Sequence, residues 1–272
     1  MNIRLIAMDL DGTLSNDEKK ITPLTREALM EAQKKGIRLV LASARPAPGL
    51  YREATALSVR EYGGILMSYN GGCITDAASG RVLYRTGIET EVMRDVLRML
   101  KKFTVTPILD DGVQFYVEDK NGFKVEYECR NNCMECTEVD DLAEFLNFSP
   151  VKVLMSVDPA VIKDVQKVIA GKLPEGLTVV QTAPFYLEVI PREINKGEGL
   201  KKVCELLGVP VEETIAFGDA ENDIPMLKTA GIGVAMGNAD EQTKAAADCV
   251  TLSNNEDGIA AALQHFLQSI EK

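Results

Sequence analysis

Residues 3–14 read Ile-Arg-Leu-Ile-Ala-Met-Asp-Leu-Asp-Gly-Thr-Leu, and no other stretch restricts the fold as tightly. A short, nearly unbroken apolar run is the signature of a strand covered on both faces, as in a parallel sheet. The run stops at two carboxylates, Asp9 and Asp11, one residue apart. Gly12 then frees the backbone to turn, and Thr13 adds a hydroxyl. Ligands of an open α/β sheet bind just beyond the carboxyl ends of its strands. Two acids placed there are costly to desolvate without positive charge beside them. The spacing therefore anticipates a metal cation with an anionic substrate behind it. A calcium loop of the EF-hand type is excluded. Counting from Asp9, its required Gly and Glu places hold Leu14 and Lys20, and a strand stands where the entering helix belongs.

Thr22-Pro23 opens a helix as N-cap and first helical residue. Leu24, Ala28, Leu29 and Ala32 follow at helical spacing, and Gly36 closes it. Residues 37–42 form a second strand ending at Ser43-Ala44-Arg45-Pro46. Strand, helix, strand over this length is a βαβ unit, so the two strands are parallel and both tips face one edge of the sheet. A third strand, residues 65–68, ends at Tyr69-Asn70-Gly71-Gly72, where Asn70 either touches the site or caps the turn, the turn being the favoured reading. The net charge of −11 over 272 residues argues against nucleic acid or an anionic membrane as partner. It leaves an anionic substrate open, because a metal and one Lys invert the local field. No apolar run nears membrane-spanning length, no leader precedes the first strand, and the six Cys are scattered. The expectation is a soluble cytoplasmic protein with reduced thiols, a monomer or homodimer.

The pattern then changes. Residues 73–76 and 82–84 flank Ala-Ala-Ser-Gly, a hairpin signal. A helix is expected over 90–101, strands at 105–109, 114–118, 123–128 and 151–157, a helix to about residue 170, and strands at 178–181 and 186–190. Adjacent strands with a few helices form an α+β unit. Alternation resumes with a helix from Lys196 and a strand, 214–217, that ends at Gly218-Asp219-Ala220-Glu221-Asn222-Asp223. The expected fold is α/β: a Rossmann-like, mostly parallel core from residues 1–82 and 189–272, interrupted by an α+β domain at 83–188. Gly231, Gly233 and Gly237 miss the dinucleotide-binding spacing and follow a helix, so they are turn residues. Cys129, Cys133 and Cys136 offer three thiols with zinc-like spacing but no fourth Cys or His nearby.

Polar groups thus gather at four element ends: Asp9 and Asp11, Ser43, Lys196, and Asp219 with Asn222 and Asp223. Singly each is ordinary, since a lone Lys is usually solvated and an acidic loop usually caps a helix. Together and in this order, Asp-Leu-Asp-Gly-Thr, Ala-Ser-Ala-Arg, Asn195-Lys196-Gly197 with Leu200, and Gly-Asp-Ala-Glu-Asn-Asp-Ile-Pro-Met-Leu resemble the four signatures of the haloacid dehalogenase-like superfamily. The form of the last signature and the position of the insertion resemble the Cof-type subfamily with a C2B cap. Asp257-Gly258-Ile259 fits the same subfamily, and the resemblance spans essentially the whole chain.

That resemblance implies a Mg²⁺-dependent phosphatase for small phosphorylated metabolites, with sugar phosphates as the expected class. Asp9 would be the nucleophile that forms an aspartyl phosphate, and Asp11 the acid and then the base. Mg²⁺ would sit on Asp9, Asp219 and the backbone carbonyl of Asp11. Ser43, Lys196, Asn222 and the backbone near Leu10 and Ala44 would hold the phosphate, with Asp223 orienting Lys196 or a metal-bound water. Ser43-Ala44 replaces the family's usual Thr-Gly; the hydroxyl survives but the backbone is less free. The insertion would act as a cap hinged near residues 84–87 and 191–193, with Tyr116, Phe185 and Tyr186 as candidate pocket residues that equally suit a core. A phosphotransferase or phosphomutase would use the same residues. A non-hydrolytic phosphoacceptor or binding protein would not turn over.

Overall fold

The structure is a computed structural model and describes residues 2–268. β1 (Leu5–Asp9) is buried along its whole length. Its side chains alternate between two cores. Ile6 and Met8 join Leu29 and Ala32 of α1 (Pro23–Lys34), while Leu5 and Ala7 meet Leu200 and Val203 on the other face. Coverage of both faces is the reason the strand carries no polar alternation. β2 (Arg38–Ala42) runs parallel to β1, and β3 (Ile65–Ser68) parallel to β2, with α2 (Tyr51–Ala56) between them. β4 (Cys73–Asp76) turns back antiparallel to β3, and β5 (Val82–Arg85) ends this half.

Arg85–Ile194 is a compact unit of its own. It contains α3 (Thr90–Leu100), β6 (Thr106–Asp110), β7 (Phe115–Val117), α4 (Val125–Asn132), β8 (Cys136–Glu138), α5 (Leu142–Phe145), β9 (Val153–Ser156), α6 (Ile162–Ala170), β10 (Leu177–Ala183) and β11 (Tyr186–Pro191). Its sheet has the order β10-β11-β9-β6-β7-β8 and is antiparallel except for the β7–β8 pair. Met93, Val96, Leu97 and Leu100 of α3 pack with Val153, Met155, Leu187 and Val189 of the sheet. The strand expected at 123–128 is instead the start of α4. Its alternating Phe-Lys-Val-Glu-Tyr-Glu reads as a strand, but Val125, Glu128 and Asn132 fall at helical spacing and are the buried residues. Glu126 and Arg130 add an i,i+4 ion pair. Tyr116 packs at a tilt against Phe145 and Phe148, with ring centroids 4.6 and 5.9 Å away, inside this unit's own core. Tyr186 is likewise buried, and its hydroxyl donates to the Lys124 carbonyl at 3.0 Å.

The chain returns through α7 (Lys196–Leu207), β12 (Thr214–Gly218), α8 (Ile224–Thr229), β13 (Ile232–Ala235), α9 (Glu241–Ala246), β14 (Cys249–Val250) and α10 (Gly258–Gln268). These residues form one compact unit with Met1–Tyr84. The core sheet has the order β14-β13-β12-β1-β2-β3-β4-β5 and is parallel from β14 to β3. The order reverses at β1, so the crevice at the carboxyl ends of β1 and β12 is the topological switch point of the sheet. Among the described residues, no helix is long and apolar enough to cross a membrane.

Candidate active site

Three carboxylates meet one ammonium at that switch point. Lys196 is the first residue of α7, and Asn195 caps the helix by accepting from the N–H groups of Gly197 and Glu198, at 3.0 Å each. The Lys196 side chain is fully buried. Its Nζ donates to Asp9 at the end of β1 and to Asp223 at 2.6 Å. The other oxygen of Asp223 accepts the backbone N–H groups of Asp219 and Ala220, both at 3.0 Å, which folds the loop after β12 around it. Asp219 accepts from Thr13 Oγ1 at 2.6 Å. Gly12 makes that approach possible: its φ is +84°, and a Cβ there would stand 2.3 Å from Asp219 Oδ2.

Carboxylate oxygens of Asp9, Asp219 and Asp223 lie within 4.8 Å of one another. Burial and the neighbouring acids push Asp9 up to about 7, against the opposing pull of Lys196. Burial, with Asp223 nearby, pushes Asp219 up to about 6 despite the Thr13 hydrogen bond. Burial works against the charge on Lys196, but Asp223 and Asp9 together raise its pKa. One ammonium among three acids leaves the cluster short of positive charge, and hard oxygen donors at this spacing fit a divalent cation. Asp223 has both oxygens engaged, which leaves Asp9 and Asp219 as the better ligands and Asp223 as their support.

Asp11 behaves differently. Its carboxylate is gripped by Arg45 at 2.6 and 2.8 Å and by Lys19 at 2.8 Å. Burial opposes ionisation there, but Arg45 and Lys19 hold its pKa below the usual carboxylate range. The raised carboxyls are therefore Asp9 and Asp219, and Asp11 is held ionised, whereas its expected role as an acid calls for a proton. Leu10 is buried between them, and its carbonyl accepts from Ser15 at 2.9 Å. Ser43 is buried at the end of β2, its Oγ accepting from the Arg45 N–H at 3.2 Å, with Ala44 half-buried beside it. Asn222 donates to Asn70 at 3.1 Å. Among the described residues, Cys129, Cys133 and Cys136 are not gathered at ligand spacing as Asp9, Asp219 and Asp223 are. Cys129 and Cys136 hydrogen-bond each other and burial pushes Cys129 up to about 12, while Cys133 is exposed and faces the Arg130 carbonyl.

The model of the haloacid dehalogenase-like hydrolase family matches residues 6–263. The chain belongs to that family. A haloacid dehalogenase-like hydrolase from Bacteroides thetaiotaomicron is 37% identical with a TM-score of 0.91, covering 97% of this chain and 100% of that one. A sugar phosphatase of subclass IIB of the superfamily is 27% identical with a TM-score of 0.80, covering 97% and 98%. The 5-amino-6-(5-phospho-D-ribitylamino)uracil phosphatase YcsE of Bacillus subtilis is 30% identical, covering 98% and 97%. The chain is a Cof-type phosphatase of the haloacid dehalogenase-like hydrolases.

At the site of this hydrolase, two positions that the sequence leaves open are decided by the structure. Arg45, for which the sequence leaves anion binding and ordinary solvation both open, has a side chain only 14% exposed and bound to Asp11. Asn70, for which the sequence favours the turn over the site, sits in the turn and also reaches Asn222. Neither contact has a local signal, since each joins residues more than 30 positions apart.

Proposed function

We propose that this phosphatase hydrolyses small phosphorylated metabolites, with polyol and sugar phosphates as the favoured class, by way of a phosphoryl group carried on Asp9. The observation that carries this reading is the Lys196 ammonium held between Asp9 and Asp223, with Asp219 beside them. Phosphoryl transfer demands a positioned nucleophile and positive charge around the moving group more than elaborate covalent chemistry. Asp9 attacks phosphorus, and the bond to the leaving oxygen breaks. Asp11 supplies the proton to that oxygen once it has been released from Arg45 and protonated. Asp11 then takes a proton from water, which attacks phosphorus and frees Asp9 and inorganic phosphate. Lys196, Ser43, Asn222 and the N–H groups near Leu10 and Ala44 hold the phosphoryl oxygens. Asp9 and Asp219 would hold Mg²⁺, joined by the Asp11 carbonyl, and the ion would supply the charge that keeps Asp9 ionised. The unit Arg85–Ile194 is the cap that selects the leaving group in this reading. Support for the substrate class comes from two relatives. One is named for sugar phosphates and the other for a ribityl phosphate, and both esters sit on hydroxylated carbon chains. Phosphate release from a panel of phosphorylated metabolites, with and without Mg²⁺, tests it. The expected result is metal-dependent turnover concentrated on sugar and sugar-alcohol phosphates. Turnover confined to another ester class removes the substrate assignment, and no phosphate release removes the reading.

Metal binding should also consume the raised pKa values. Protonated Asp9 and Asp219 must lose protons to take a cation, so Mg²⁺ binding releases protons and weakens as pH falls through about 7 and about 6. The apoprotein has a complementary signature. Its folded pKa values exceed the unfolded ones, so these groups stabilise it most at low pH and that stability is lost as pH rises through about 7. Calorimetric titration in two buffers of different ionisation enthalpy, at pH 6 and pH 8, gives the proton count. A pH-independent affinity with no proton release is the contrary result.

A further inference from the structure

We propose that Asn70 is a positioning residue for the phosphoryl group, acting through Asn222, whose amide it fixes. This rests on the phosphatase reading above and extends it to a residue outside the four signature segments. Tyr69, Asn70 and Gly71 are three successive residues in the left-handed region, with φ of +53°, +53° and +97°. A bulky residue such as Tyr occupies that region only when its surroundings impose it. Here they do, from three sides. The Tyr69 N–H donates to the Arg45 carbonyl at 3.1 Å and the Asn70 N–H to the Ser43 carbonyl at 2.8 Å, which ties the turn to the loop after β2. Gly71 lies against α7: a Cβ on it would meet Gly199 Cα at 2.8 Å, so the turn is seated on the helix that begins with Lys196. The Asn70 side chain then accepts from Asn222 Nδ2 at 3.1 Å.

One turn therefore touches the Ser43 loop, the Lys196 helix and the Asn222 loop, which are the elements assigned to the phosphate. Asn222 is exposed, and an exposed amide ordinarily samples several rotamers. With one N–H committed to Asn70, the amide plane is set and the direction of the second N–H with it. Ordering is then complete before substrate arrives, so it does not have to be supplied by binding. Strain stored in the turn is consistent with that use, because left-handed non-Gly residues concentrate where a precise geometry is required.

Asn70→Gly separates the two roles of the residue: it keeps the left-handed backbone and deletes the contact. The expected result is an unfolding midpoint close to the wild type. Affinity for inorganic phosphate in the presence of Mg²⁺, measured by calorimetry, should fall about tenfold, the size of one hydrogen bond lost. KM should rise by a similar factor with a smaller change in kcat. Asn222→Ala should lose at least as much, and the double variant should be no worse than Asn222→Ala alone, since Asn70 acts only through that amide. Losses that multiply in the double variant, or an Asn70→Gly protein that binds phosphate as the wild type does, overturn the proposal. A wild type that releases no phosphate from any ester overturns the phosphatase reading instead, a different and separately visible outcome.

Discussion

Asp9→Asn is expected to lose phosphate release by about 10⁴-fold or more, the scale seen when a nucleophile is removed, and to unfold at the same temperature as the wild type or higher. The loss follows from chemistry. An amide oxygen is too weak a nucleophile to form the phosphoryl link, and no neighbouring acid can replace it, because Asp223 is engaged by Lys196 and two backbone N–H groups. The stability result follows from electrostatics. Folding pushes Asp9 up to about 7, so without metal the fold opposes its ionisation above that pH. Asn keeps an oxygen for Lys196 and removes the charge, while Asp223 still pairs with the ammonium. The folded pKa is raised, so the wild-type apoprotein loses stability as pH rises from about 4 to about 7 and the variant does not. Calorimetric unfolding without Mg²⁺ at pH 5 and pH 8 should therefore show a gap that opens at the higher pH. Wild-type turnover in the variant would remove Asp9 as nucleophile. A large drop in Tm would mean that its carboxylate supports the fold.

What the sequence made legible tracks how local each signal is. β1 and its acid pair were visible because a doubly covered strand must be continuously apolar, and the break to Asp9, Asp11 and Gly12 is confined to a few positions. Lys196 was visible only as part of an ordered set; nothing in its own neighbourhood says that its side chain is fully buried. The helix α4 was misread because Phe-Lys-Val-Glu-Tyr-Glu satisfies a period of two, while the burial of Val125, Glu128 and Asn132 that decides for a helix depends on the sheet beneath it. The state of Asp11 was illegible for a related reason. The resemblance makes Asp11 the acid, but Asp9 pairs with Lys196 while Asp11 meets Arg45, 34 residues away. Alternation along a strand points neighbouring-but-one residues to one face only while the strand lasts, and β1 ends at Asp9.

Lys196→Met is expected to be both inactive and unstable, in contrast to Asp9→Asn. Met has a comparable length and fills the channel of a fully buried side chain, so packing is largely preserved. What changes is charge. Asp9, Asp219 and Asp223 remain around a position that no longer carries a cation, and Asp223, fully buried, loses the ammonium at 2.6 Å. Breaking a buried pair from one side costs about 3–5 kcal/mol, since the partner stays desolvated and unpaired. In a chain of this size that corresponds to a fall in Tm of roughly 10 °C. The deficit should be largest at pH 8 and shrink toward pH 5, where Asp9 and Asp219 can take up protons in place of the ammonium. Turnover should fall by about 10³-fold or more through loss of charge beside the phosphoryl group. Lys201 is the matched control: it is exposed, pairs with Glu198 at 2.7 Å one turn further along α7, and its replacement by Met should change stability by less than about 0.5 kcal/mol. Saturating Mg²⁺ should recover part of the Lys196→Met stability, because a divalent ion can neutralise Asp9 and Asp219, yet it should not recover turnover, which also needs a donor at the Lys196 position. If Mg²⁺ restored turnover as well, Lys196 would be only a counter-charge for the buried acids, and binding of the phosphoryl oxygens would fall to Ser43 and Asn222.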